Sequence, residues 1–125
     1  MEIKIPGVDA NKALDLFEGD VDTYVGILRS YISAMPKSLD SIRSASKETL
    51  WDYAVAVHGI KSISEAIGAE EARKTAKQLE DMAKGGDLAG ILARNNAFIN
   101  YAENLVDGIR VWLEKYDSSS GTSGP

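Results

Sequence analysis

The chain contains no cysteine, and that absence removes disulfides, thiol nucleophiles and thiolate metal sites together. It contains one histidine, His58, so a zinc or copper site would have a single imidazole to draw on. No metal or cofactor of its own is expected. No apolar run approaches the roughly 20 residues that span a bilayer, and the opening MEIKIPGVDANK lacks the apolar core of a signal peptide. A basic excess is also missing: 14 Lys and Arg stand against 19 Asp and Glu, a formal net charge of −5. A sequence-independent grip on nucleic acid needs cations to displace counterions from phosphates, so nucleic acid is not an expected partner. The expectation is an acidic, monomeric, cytoplasmic domain without a membrane partner.

What is present is ordinary for one globular domain: 125 residues, 44% hydrophobic and 26% charged. Helical periodicity dominates and no strand alternation is evident. Val21, Val25, Leu28, Ile32, Met35, Leu39 and Ile42 step by four and three, a one-sided seam behind the N-cap Asp20. Pro36 removes one backbone donor inside this run but leaves the seam in phase. Ahead of it, Asp9 is placed to cap a short helix with Ala13, Leu14 and Phe17 inward and Gly19 at its end.

Downstream, Ser46 is placed to cap a helix reaching about Ile67, with Gly68 as its left-handed stop. Residues 69–84 repeat Ala69, Ala72, Ala76, Leu79 and Ala83, a small-residue seam that lets a neighbour approach closely. Gly85 and Gly86 end that segment and Asp87 caps the next. There Leu88, Ile91, Asn95, Phe98, Ala102, Leu105, Ile109, Trp112 and Tyr116 hold one face. Residues 118–125, SSSGTSGP, have no periodicity and read as a flexible tail, linker or expression remnant. The expected fold is all-α: an antiparallel up-down-up-down four-helix bundle over residues 1–117, with the short first helix capping one end. An irregular helical domain is the alternative.

His58 can be placed on its helix by geometry alone. With Val57 at zero, Leu50, Tyr53, Ile60, Ser64 and Ile67 fall between roughly −80° and +20°, the stripe expected to face the core. His58 lies about 100° away, on the flank of that stripe. Its helix-surface neighbours are Ala54, Val55, Lys61 and Ser62, with Trp51 one further turn along and Gly59 beside it. A lone histidine at a helix flank is more often inert than reactive, and periodicity alone leaves the matter there.

The segment HGIKSISEAIGA resembles a known family, the histidine-containing phosphotransfer (HPt) domains of two-component phosphorelays. That family's signature is a histidine, a lysine three residues on, small residues following, and a glycine ten residues after the histidine. Here these are His58, Lys61, Ser62, Ser64, Gly68 and Ala69. The similarity continues through AKQLEDMAKGGD downstream and IPGVDANKALDLFEGDVDTYVGILRSYI upstream, covering roughly residues 5–115. One departure stands out: where the family usually has glycine directly after the lysine, this chain has Ser62.

The resemblance implies a phosphorelay carrier. His58 would accept a phosphoryl group from an aspartyl phosphate of one receiver domain and pass it to another, through Nε2. Lys61 would offset the charge, and Mg²⁺ and the receiving aspartate would come from the partner. The expected partners are receiver domains of response regulators and of hybrid histidine kinases. No Gly-rich phosphate loop or kinase motif is present, so a carrier rather than an ATP-using enzyme is expected. Trp51, Ala54, Val55, Gly59, Ser62 and Glu65 are the expected receiver-docking residues, with Ile63 as a weaker candidate. Gln78 and Glu80 are candidates to reach the imidazole or Lys61, although a solvated polar face explains both. The competing class is a non-phosphorylated helical module, a pseudo-HPt that docks a receiver or kinase. A third is a coiled-coil-like dimerisation domain.

Overall fold

A computed structural model describes residues 2–120, and these are mainly helical with no β-strand; only an isolated bridge joins Ile5 to Val8. Five α-helices pack together: α1 (Ala10–Leu16), α2 (Val21–Ser41), α3 (Leu50–Ile67), α4 (Glu70–Lys84) and α5 (Leu88–Ser120). A 3₁₀ turn, Lys47–Thr49, leads into α3. Helix α3 lies most intimately against α4. It also packs on α2, while α5 packs on α4 and α2, and α1 rests on α2 and α3.

The helix ends follow their capping chemistry. Asp9 and Asp20 each accept from the backbone amide three residues on, at 3.1 and 3.2 Å, and Asp87 accepts from Gly90 at 2.8 Å. Ser46 caps the 3₁₀ turn rather than α3 itself, and its amide donates to Thr49 Oγ1 at 2.9 Å. Gly68 ends α3 with φ +82°, the left-handed region a side chain resists. A second constraint acts at the same place. The Asp9 amide donates to the Gly68 carbonyl at 2.8 Å, and a Cβ on Gly68 would fall well inside contact distance of the Asp9 carbonyl. The glycine that stops α3 therefore also seats the start of α1.

The core contains the expected seams with additions. Val25, Leu28, Met35, Leu39 and Ile42 are buried, as is the whole Ala69–Ala83 seam, whereas Val21 and Ile32 are only half-buried. Ile3 and Ile5 join the core from outside any helix. Tyr24 and Tyr31 are buried on α2 because each hydroxyl finds a partner on α3. Tyr24 donates to the Ile67 carbonyl at 2.7 Å, and the Tyr31 and Ser64 hydroxyls lie 3.0 Å apart. Tyr53 donates to Asn95 Oδ1 at 2.7 Å, and Asn95 Nδ2 donates to the Ile42 carbonyl at 2.6 Å. These bonds fix the rotation of α3, and with it the face that carries His58.

The expected boundary at residue 117 is not where the helix stops. Helix α5 continues through Ser120, since extending a formed helix needs no new nucleation. Asp117, at the expected boundary, is also tied to Arg29 of α2 by a two-pronged ion pair. Residues 121–125 of the expected tail lie outside the described residues. Among the described residues no helix is long and apolar enough to cross a membrane.

Candidate functional site

The buried face of α3 is formed by Tyr53, Ala54, Val57, Ile60, Ser64 and Ile67. His58 lies one step round from it and its side chain is 55% exposed. Across from it stands α4, whose seam of Ala72, Ala76 and Ala83 lets the two backbones come close. Glu80 lies four residues after Ala76 and three before Ala83, on the edge of that seam. It is buried against α3, with its side chain only 4% exposed.

A carboxylate in that position must be paired, and Glu80 is paired three times over. Its Oε2 lies 2.7 Å from His58 Nδ1 and 3.1 Å from Lys84 Nζ, and its Oε1 lies 3.2 Å from Lys61 Nζ. Burial alone would push the carboxyl up. Hydrogen bonds from Lys84, Lys61 and His58 outweigh that and bring it down to about 2. Glu80 is therefore an anion at neutral pH and can only accept. It follows that His58 Nδ1 carries a proton and donates to it. In the neutral ring the lone pair is then on Nε2, the nitrogen turned away from Glu80.

The cations differ in setting. Lys61 is largely covered, with its side chain 23% exposed, whereas the Lys84 side chain is 58% exposed. Lys84 lines a shallow depression together with Trp51, Ala54, Val55, His58 and Glu80. Sequence reasoning missed Lys84, although its spacing of four from Glu80 is the usual signal for a helical ion pair.

The other expected residues divide. Trp51, Val55, Gly59, Ser62 and Glu65 are exposed on α3 beside His58. Ala54 is not: it is buried, covered by the close approach of α4, and contributes only the floor of the depression. Ile63 is half-buried and packed on the core, since five residues along a helix carries it well round from His58. Gln78 is exposed on α4, two residues and some 200° from Glu80, and is not among the described partners of His58 or Lys61. The Ser62 hydroxyl turns back onto its own helix, donating to the His58 carbonyl at 3.2 Å. A Cβ on Gly59 would meet nothing within 4 Å.

Comparison with models of known families, with curated proteins and with solved structures gave no match. What the arrangement can do chemically rests on its own geometry. It presents an exposed imidazole with its tautomer set, one nitrogen without a partner among the described residues, a buried anion behind it and two ammonium groups around it. The described residues hold no group of three or more His, Asp or Glu placed to bind a metal ion.

Proposed function

We propose that this protein is a phosphorelay carrier of the HPt type, an antiparallel four-helix bundle capped by α1, with His58 as phosphoacceptor. The observation that carries this reading is the 2.7 Å contact between His58 Nδ1 and the buried, ionised Glu80, with most of the ring still exposed. A nucleophilic imidazole needs one nitrogen bare and aimed outward, and this contact supplies that condition. In the step, the Nε2 lone pair forms a bond to phosphorus as the phosphorus–oxygen bond to the donor aspartate breaks. The carboxylate leaves with the electron pair. The proton on Nδ1 stays there, and Glu80 balances the positive charge the ring gains.

Catalysis of phosphoryl transfer is mainly positioning and charge stabilisation, which suits a helix surface with only a shallow depression beside the imidazole. Lys61, bound to Glu80, adds positive charge beneath the site. The receiver supplies Mg²⁺ and the carboxylate that gives or takes the phosphoryl group. Trp51, Val55, Gly59, Ser62 and Glu65 form the docking face around His58.

Incubation with a phosphorylated receiver domain tests this. Acid-labile, base-stable phosphate on the parent and none on His58→Gln is the expected result. Equal labelling of the two proteins overturns it. Receiver binding without any labelling of the parent returns the protein to the competing class, a docking module.

A further inference from the structure

Resting on that reading, the geometry points to Lys84, on α4, as the cation that faces the phosphoryl group on His58. Lys61, the lysine the family resemblance singles out, serves to hold Glu80. The two lysines grip different oxygens of the same carboxylate from opposite circumstances. Lys61 reaches Oε1 at 3.2 Å from a largely covered position. Lys84 reaches Oε2 at 3.1 Å, the same oxygen that His58 Nδ1 meets at 2.7 Å. Sharing one oxygen keeps Lys84 Nζ within roughly 6 Å of His58 Nδ1, at most two hydrogen-bond lengths, and so within one ring width more of Nε2.

The depression beside His58 adds an independent observation. Its walls include Trp51, Val55, His58 and Lys84, and Lys61 is not among them. A phosphoryl group on His58 whose oxygens swing over this depression meets the Lys84 ammonium there. The charge balance agrees. One carboxylate faces two ammonium groups, leaving an excess of one positive charge, and Lys84 is the more exposed of the two. When His58 becomes phosphorylated, the phosphoryl oxygens compete with Glu80 for Lys84. Lys61 stays to keep the buried carboxylate paired.

Phosphoramidate tests this without any partner protein: Nε2 bonds to phosphorus, the phosphorus–nitrogen bond breaks, and ammonia leaves after taking a proton from solvent. Parent, K84Q, K84R and K61Q are treated alike, and the phosphohistidine is titrated by ³¹P NMR. In K84Q the phosphoryl midpoint should rise by about 0.4 pH unit, the effect of one unit charge roughly 8 Å away in water. Its labelling should slow several-fold. K84R should restore both, and K61Q should raise the midpoint by less than K84Q does. A K84Q midpoint equal to that of the parent, or a larger displacement in K61Q, overturns the assignment of Lys84 while the carrier reading stands. Failure of the parent to take phosphate on His58, while free imidazole is labelled under the same conditions, overturns both.

Discussion

His58 and Glu80 are joined across the α3–α4 contact by a 2.7 Å bond whose imidazole end is in solvent and whose carboxylate end is buried. The asymmetry has a direct spectroscopic consequence. Because the carboxylate can only accept, the neutral ring is held as the Nδ1–H tautomer, whereas free imidazoles of histidine exchange between two. Long-range ¹H–¹⁵N spectra of the neutral protein should show Nδ1 protonated and Nε2 bare. In Glu80→Leu that preference should disappear. A parent spectrum dominated by Nε2–H would contradict the orientation on which the phosphoacceptor reading depends.

Glu80 also links stability to pH. Its carboxyl is held at about 2 in the folded protein against an ordinary value of 4.5, so the unfolded chain binds the proton more readily. The sign follows: the contribution is fully present above pH 4.5 and is lost as pH falls towards 2. Between pH 7 and pH 3 the loss from this one group is on the order of 2 kcal/mol. Denaturant unfolding of parent and Glu80→Gln at both pH values should show the variant less stable at pH 7, with the gap mostly closed at pH 3. A gap that stays constant would mean Glu80 carries no such linkage.

Gly68 should be the least replaceable glycine among the described residues. Alanine there must adopt φ +82°, which costs about 1–2 kcal/mol for an L-residue, and its Cβ meets the Asp9 carbonyl. The Asp9–Gly68 backbone bond is then strained as well. Gly68→Ala is expected to lose about 2 kcal/mol or more in denaturant unfolding, in the upper range for point substitutions. Gly19→Ala offers the comparison: it has similar φ but open space around it, so it should lose less.

Much of the fold was legible from period alone. Alternating steps of three and four placed the seams of α2, α4 and α5, and the glycine and aspartate punctuation placed most of the ends. What escaped has identifiable physical causes. Ile3 and Ile5 are buried from an extended segment, where helical period carries no information. Tyr24 and Tyr31 lie outside the seam of steps of three and four, yet they are buried because their hydroxyls are satisfied by Ile67 and Ser64 on α3. Ala54 was expected on the surface because the closeness of α4 depends on the partner helix rather than on α3. Lys84 went unnoticed because its importance comes from sharing Glu80 with His58, a relationship between two helices. Glu80 itself was a candidate, but a charged residue reads by default as solvated, and only the packing of alanines against α3 buries it.

Ser62 and Gly59 make the last comparison, because they flank His58 and have opposite helix energetics. Glycine at 62 removes the hydroxyl that bonds back to the His58 carbonyl and costs about 0.5 kcal/mol of helix propensity. Alanine at 59 fills open space and gains about 1 kcal/mol. If a receiver packs closely on this face, rate and stability move in opposite directions. Ser62→Gly should be slightly less stable yet accept phosphate from a receiver at least as fast as the parent. Gly59→Ala should be more stable yet slower. Neither should differ from the parent with phosphoramidate, which is too small to sense the change in bulk. A Gly59→Ala protein that matches the parent with both donors would place the receiver elsewhere, because a docking partner pressed against α3 at His58 must meet the added methyl.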